Sequence, residues 1–193
     1  PTILVIFGAT GDLVARKVGP ALFHLYEKGN LPSRFAGIGV SRRPLSQEEF
    51  QNYLAQSLAK HLGKEKHSVS ETFINLFSYQ QGLFDKKDSY QSLRARIAAQ
   101  VKEWGSPASV LFYLATPPQL YEMIFQALAE SGLMKVPERE TGWRRILVEK
   151  PFGTNLQEAE KLDRALQTLF REDEVYRIDH YLAKEVLQNI LAF

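Results

Sequence analysis

Apolar runs and helical patterns alternate along the chain. Residues 2–7 form a continuous apolar run rich in β-branched side chains, which is typical of a strand buried on both faces of a parallel sheet. Similar runs predict further strands at residues 34–40, 77–84, 109–115, 145–149 and 174–178. Helical patterns fill the intervals, at residues 13–17, 20–28, 46–62, 89–104, 119–131 and 155–170, and again after residue 178. This alternation predicts an α/β fold with a doubly wound, Rossmann-like and mostly parallel sheet.

Local signals mark where several of these helices begin. Pro20 suits the first turn of a helix, where its missing N–H costs little. Ser46 is followed three residues later by Glu49, which is the spacing of a capping box. Asn155 and Glu158 form a second capping pair. The polar residues 63–70 are predicted to form a loop.

The composition narrows the class of protein. Hydrophobic residues make up 45% of the 193 residues and charged residues 24%, a balance typical of a water-soluble globular protein. A net charge of +2 gives no reason to expect a nucleic-acid or membrane partner. The absence of cysteine excludes disulfides and thiolate chemistry, and the four histidines have no metal-ligand spacing. These two observations give no reason to expect a metal site. No apolar run is long enough to span a bilayer, and we therefore expect a cytoplasmic protein.

The two ends of the sequence predict a longer protein. Pro1 already lies in a strand-like run, and Phe193 lies within an apolar helical pattern. We therefore interpret residues 1–178 as a dinucleotide-binding domain. Residues 179–193 are interpreted as the start of the connection to a C-terminal substrate domain of α+β type that this sequence lacks.

The segment after the first strand has the features of a phosphate-binding turn. Residues 8–13 read GATGDL and lie between a buried strand and a helix. Gly8 permits a sharp turn, and Gly11 lets the backbone approach a pyrophosphate at the helix N-terminus. Val14 stands where the usual fingerprint has a third glycine, so a tight turn without a ligand stays an alternative.

The end of the second strand indicates which dinucleotide binds. NAD-binding domains place an acidic residue there to hold the ribose 2′-hydroxyl. This chain has Ser41, Arg42 and Arg43 instead. Guanidinium groups bind a 2′-phosphate, whereas a carboxylate would repel it, so we expect NADP. Two solvated surface arginines are the alternative interpretation.

Two later motifs, together with the glycine turn, closely resemble the glucose-6-phosphate dehydrogenase family. They are EKPFG at residues 149–153 and RIDHYLAKE at residues 177–185, and their order and spacing match as well. Ala183 departs from the family's usual glycine, and its methyl group should be tolerated if the local φ is negative.

The resemblance implies a set of site residues and partners. Asp179 would orient a catalytic histidine that this family carries further downstream. The residues implied to bind NADP are Gly8, Ala9, Thr10, Gly11, Asp12, Leu13, Lys17, Ser41, Arg42, Leu83, Phe84, Pro117, Tyr121 and Lys150. The residues implied to bind glucose 6-phosphate are Lys150, His180, Tyr181 and Lys184. The family commonly forms dimers, so a homo-oligomer is expected at full length.

The expected reaction is the oxidation of glucose 6-phosphate to 6-phosphogluconolactone with NADP as hydride acceptor, the first step of the oxidative pentose phosphate pathway. We expect the chain alone to bind NADP without turning over substrate. The main alternative is a non-catalytic NADP sensor related to the short-chain dehydrogenases, although Val14 and the two later motifs argue against it. Another sugar-phosphate or inositol-type oxidoreductase would share the lysine-proline element but not RIDHY.

Overall fold

The computed structural model describes residues 1–62, 69–136, 141–150, 153 and 155–178. Four of the implied site residues, Asp179, His180, Tyr181 and Lys184, therefore lie outside the described residues, as does the helix predicted after residue 178. The division into domains at residue 178 stays a prediction.

Strands and helices alternate through the described chain, as the sequence predicts. The strands are β1 (Thr2–Phe7), β2 (Phe35–Ser41), β3 (Phe77–Gln81), β4 (Ser109–Leu114), β5 (Arg144–Glu149) and β6 (Val175–Ile178). The α-helices are α1 (Gly19–Glu27), α2 (Gln47–His61), α3 (Glu71–Ile74), α4 (Lys87–Trp104), α5 (Tyr121–Glu130) and α6 (Leu156–Leu169). A π-helical stretch (Val14–Val18) precedes α1, and 3₁₀ turns occupy Pro118–Leu120 and Glu172–Glu174.

All six strands belong to one parallel sheet with the order β3-β2-β1-β4-β5-β6. The predicted doubly wound, Rossmann-like fold is thereby confirmed. The sheet extends in opposite directions from β1: β2 and β3 follow on one side, and β4, β5 and β6 follow on the other. In open α/β sheets a ligand binds at this switch point, beyond the carboxyl ends of the strands.

Helices cover both faces of the sheet and form two apolar layers. On one face, buried residues of α4, α5 and α6 pack against the strands, among them Leu93, Phe125 and Leu166. On the other face, α1, α2 and α3 supply residues such as Phe23 and Phe50. Burial of the apolar surface between the helices and the sheet is the main force that holds the layers together. No helix in the described residues is long and apolar enough to cross a membrane.

The predicted helix caps are present. Ser46 Oγ accepts a hydrogen bond from the Glu49 amide at 3.1 Å, and the Ser46 amide donates to the Glu49 carboxylate at 2.7 Å. The hydrogen bond from the Ser46 amide, and after it the Ser46 hydroxyl, lower the pKa of the exposed Glu49 carboxyl. Asn155 Oδ1 accepts from the Glu158 amide at 2.9 Å at the start of α6.

The structure differs from the sequence prediction in three elements. The predicted break between residues 17 and 20 is absent, because the π-helical stretch continues directly into α1. Pro20 has no N–H to donate, and the wider turn is closed instead by the Gly19 amide, which donates to Val14 O. β3 ends at Gln81 instead of residue 84, and the Lys86 amide donates to Leu83 O in a turn that follows the strand. The short α3 had no sequence prediction.

Candidate functional site

The turn after β1 is shaped by a glycine that no other residue can replace without strain. Gly8 has a φ of +83°, and a Cβ on it would lie 2.4 Å from the carbonyl oxygen of Ala115. The Gly11 amide closes the turn by donating to Gly8 O at 2.8 Å. The carboxyl ends of β1 and β4 therefore meet closely, at the switch point of the sheet.

The chain becomes helical directly after this turn. Leu13 already has helical backbone angles, and the Ala15 amide donates to Gly11 O at 3.1 Å. The first amides of a helical segment have no partner within the helix and attract anions. Ala9 is 1% exposed and packs beneath the turn, where Gly39 of β2 leaves room for it. The turn thus offers backbone donors above an apolar base.

Residues 41–43, which follow on from β2 and which we call the arginine turn, are held by hydroxyl groups. Thr10 Oγ1 donates to Ser41 Oγ at 3.0 Å, and Ser41 Oγ lies 2.8 Å from the hydroxyl of Tyr79 on β3. The Tyr79 hydroxyl also lies 2.5 Å from Arg43 O. This network joins the glycine turn to the end of β2 and to the middle of β3.

The segment after β3 provides an apolar wall. Leu83 is 45% exposed, and the ring of Phe84 packs edge-on against Phe7 with 5.7 Å between centroids. The Tyr90 hydroxyl donates to Phe84 O at 2.9 Å and fixes this segment to α4. Burial, followed by the charge of Asp85, raises the pKa of Tyr90, so its hydroxyl stays a donor.

These segments enclose one cavity of about 530 Å³ at the switch point. It is lined by Gly8, Thr10, Gly11, Ser41, Arg42, Arg43, Leu83, Phe84, Asp85, Ala115, Thr116, Pro117, Leu120 and Met123. Its walls therefore combine a tight glycine turn, two guanidinium groups and an apolar surface. Such a cavity suits a ligand that carries both phosphate groups and flat rings.

Comparison with known proteins identifies the family. The chain matches the family model described as "Glucose-6-phosphate dehydrogenase, NAD binding domain" over residues 5–189. The chain belongs to the glucose-6-phosphate dehydrogenase family. It is 39% identical to the glucose-6-phosphate 1-dehydrogenase of Chlamydia muridarum over 194 residues, covering 99% of this chain and 38% of that protein. The corresponding protein of Treponema pallidum is 42% identical over 194 residues, with 99% and 37% covered.

Solved structures agree with this assignment. A glucose-6-phosphate dehydrogenase in complex with its substrate glucose 6-phosphate superimposes with a TM-score of 0.84 and 38% identity, covering 98% of this chain and 38% of that one. The enzyme from Mycobacterium avium gives a TM-score of 0.77 and 27% identity, with 98% and 41% covered. The chain thus spans less than half the length of these family members. Membership of this family argues against the short-chain dehydrogenase alternative.

Of the cofactor residues that the resemblance implies, eight line the cavity at the switch point. They are Gly8, Thr10, Gly11, Ser41, Arg42, Leu83, Phe84 and Pro117. The roles of these residues stay predictions, but the structure brings them together from the ends of four strands. The sequence analysis did not include six other lining residues in the site: Arg43, Asp85, Ala115, Thr116, Leu120 and Met123. Among these, Arg43 alone had a signal, as the second arginine after β2.

The remaining implied residues that the structure describes do not line this cavity. Asp12 forms an exposed ion pair with Arg16 at 3.3 Å. Leu13 and Lys17 line a separate groove on the sheet face covered by α1. Lys150 is exposed at the end of β5, and its amide donates to Ile178 O at 3.3 Å.

Tyr121 is buried beneath the cavity and does not line it. Its ring is 1% exposed, and its hydroxyl lies 3.4 Å from both Leu114 O and the Glu149 amide. Burial raises the pKa of Tyr121 to about 12, so the hydroxyl stays protonated. In this position Tyr121 joins the ends of β4 and β5.

A buried polar pair that the sequence analysis missed lies next to Tyr121. The Tyr113 hydroxyl donates a hydrogen bond to the Glu149 carboxylate, and both residues also line the groove that contains Lys17. Burial and the hydrogen bond to Glu149 raise the pKa of Tyr113. Glu149 precedes Lys150, so this pair fixes the end of the strand that carries that lysine. No group of three or more histidine, aspartate or glutamate side chains within the described residues could hold a metal ion.

Proposed function

We propose that the protein to which this chain belongs oxidises glucose 6-phosphate to 6-phosphogluconolactone with NADP as hydride acceptor. The observation that carries the proposal is the cavity at the switch point of a sheet whose family binds a nicotinamide dinucleotide. This chain supplies the dinucleotide site and one part of the sugar site. The whole protein's reaction is proposed because the chain spans only 38% of its relative from Chlamydia muridarum.

The residues present fit a dinucleotide at this position. A Cβ on Gly8 would fill the space beside Ala115 O, so only a glycine leaves the turn open for close approach of a ligand. The glycine turn would hold the pyrophosphate, and Leu83 and Phe84 would contact a flat ring. When bound, NADP supplies the hydride-accepting nicotinamide, and the protein supplies position and charge.

A preference for NADP over NAD is supported by the arginine turn. Arg42 and Arg43 line the cavity, and no acidic residue stands at the end of β2. Arg42 has no ion-pair partner within the described part of the chain, so its guanidinium is available to a phosphate. Charge-assisted hydrogen bonds from arginine are among the stronger polar interactions in proteins.

The sugar site is proposed to lie at the carboxyl end of the domain. His180, Tyr181 and Lys184 would bind the 6-phosphate and Lys150 would contact both ligands, while Asp179 would orient the histidine that takes the proton from the C1 hydroxyl. A phosphate held by positive groups anchors the sugar, which places C1 for the reaction at a fixed position. We further propose a cytoplasmic homo-oligomer for the full-length protein.

The test uses the full-length protein with NADP and glucose 6-phosphate, and the absorbance of NADPH is followed. Substrate-dependent NADPH formation is expected, and its absence despite bound NADP would contradict the proposal. Replacing His180 by asparagine should weaken the use of glucose 6-phosphate far more than the use of unphosphorylated glucose. The 193-residue chain alone is expected to bind NADP and to form no NADPH.

A further inference from the structure

Tyr79 lies in the middle of β3, and its hydroxyl reaches the arginine turn. We propose that Tyr79 is a positioning residue, whose hydroxyl holds the arginine turn in the shape that binds the 2′-phosphate of NADP. This inference rests on the proposed NADP preference and adds to it a residue that need not touch the ligand. Tyr79 is 5% exposed and does not line the cavity.

The hydrogen bonds around Tyr79 run in one direction. Its hydroxyl proton has its shortest acceptor in Arg43 O, at 2.5 Å. The tyrosine oxygen then accepts from Ser41 Oγ at 2.8 Å, and Ser41 Oγ accepts from Thr10 Oγ1 at 3.0 Å. Each hydroxyl thus donates once. The chain of bonds begins at Thr10 in the glycine turn and ends at the carbonyl of Arg43 in the arginine turn.

The arginine turn is closed around this hydroxyl. Ser41 O lies 3.2 Å from the Tyr79 hydroxyl, and the Arg43 amide donates to Ser41 Oγ at 3.3 Å. Both ends of the turn therefore contact the same small group of atoms. Burial raises the pKa of Tyr79, with Ser41 and Arg43 opposing that effect, so the hydroxyl remains a proton donor.

Tyr79 is itself held rigidly. Its ring stacks on Phe50 of α2 with 4.8 Å between centroids. Its amide donates to Gln47 Oε1 at 2.8 Å, and Gln47 Nε2 donates to Phe77 O at 2.8 Å. A group whose side chain and backbone are both fixed can impose its geometry on the more exposed turn above it.

The arginine turn positions the two positively charged side chains of Arg42 and Arg43. Arg42 lines the cavity, whereas Arg43 also borders a neighbouring groove, with its guanidinium 5.9 Å from the centre of the Tyr53 ring. Long arginine side chains lose conformational freedom when they bind, and a fixed backbone limits that loss. Loss of the Tyr79 hydroxyl should therefore weaken the binding of the 2′-phosphate and spare the rest of the dinucleotide.

The experiment compares the full-length wild-type protein with Tyr79→Phe by titration calorimetry with NADP and, separately, with NAD. We expect the Kd for NADP to rise about fivefold to twentyfold, as for the loss of a buried hydrogen bond, and the Kd for NAD to change less than about twofold. In kinetics, KM for NADP should rise and kcat should stay near the wild-type value. Tyr26→Phe is the matched control, because Tyr26 lies on α1 and its ring packs against Phe23 and Phe73.

A double-mutant cycle separates this inference from the proposed function. If Tyr79 acts through the arginine turn, Tyr79→Phe should have little further effect on NADP binding once Arg42→Ala and Arg43→Ala are present. Equal losses of NADP and NAD affinity, or full additivity in the cycle, would overturn the positioning role while leaving the NADP preference intact. If the wild-type protein binds NADP no better than NAD, both the preference and this inference are wrong.

Discussion

The turn at Gly8 allows a prediction whose magnitude follows from two separate costs. Gly8→Ala places a side chain at a φ of +83°, a conformation that costs about 1–3 kcal/mol for a non-glycine residue. The new Cβ would also lie 2.4 Å from Ala115 O, and relieving this overlap by a backbone shift costs about 1–3 kcal/mol more. We expect a total destabilisation of about 2–6 kcal/mol, together with loss of NADP binding, because the shift separates the ends of β1 and β4.

Gly29→Ala provides the matched control. Gly29 has a φ of +67°, but nothing lies within 4 Å of its added Cβ, so only the conformational cost applies. Chemical denaturation followed by the fluorescence of Trp104 and Trp143 measures both variants, and NADP titration measures the site. Equal destabilisation by the two substitutions would refute the argument that close approach of β1 and β4 requires Gly8. Unchanged NADP affinity in Gly8→Ala would refute the location of the site.

Three further predictions follow from other contacts. Arg42→Ala should raise the Kd for NADP about tenfold to a hundredfold, by loss of a charge-assisted hydrogen bond, and leave NAD binding unchanged; equal effects on both would contradict it. Ser46→Ala should destabilise the protein by about 1 kcal/mol through loss of the helix cap. Folding lowers the pKa of Glu49, so the stabilisation that its carboxylate gives should be lost as the pH falls through that pKa. Urea titrations at neutral and acidic pH measure the cap and the carboxylate effects, and a pH-independent loss of stability in Glu49→Gln would contradict the carboxylate effect. Tyr113→Phe should cost about 1–3 kcal/mol in the same assay, because it removes a hydrogen bond from the buried Glu149 carboxylate, and a neutral result would show that the pair contributes no net stability.

Much of the fold could be predicted because its signals are local. The apolar run of β1, the cap at Ser46 and the glycine at position 8 each depend on neighbours within a few residues. The π-helical stretch was missed because a proline signals only that a donor is absent. Whether the helix breaks or widens depends on packing, and here Gly19 is buried close to Leu58 of α2.

The candidate site was predictable only in part, because its side chains meet through the register of distant strands. Tyr113 and Glu149 are brought together by the pairing of β4 with β5, and Tyr79 reaches Ser41 only because β3 pairs with β2. Lys17 does not line the cavity, and its role in binding the cofactor stays a prediction. It shares a helical face with Leu13, four residues earlier, and that face borders the groove beside the sheet instead of the cavity at the switch point.

The central position of β1 also has a consequence for how the protein folds. Phe7 pairs with Val40 on one side and with Leu114 on the other, and Leu114 is more than a hundred residues away along the chain. Contacts of such long separation form slowly, since a large loop must close first. The cavity has walls from both sides of this strand, so a newly synthesised chain can acquire nucleotide affinity only after β4 has emerged and docked. Cofactor binding would therefore report on the completion of this long-range pairing during refolding.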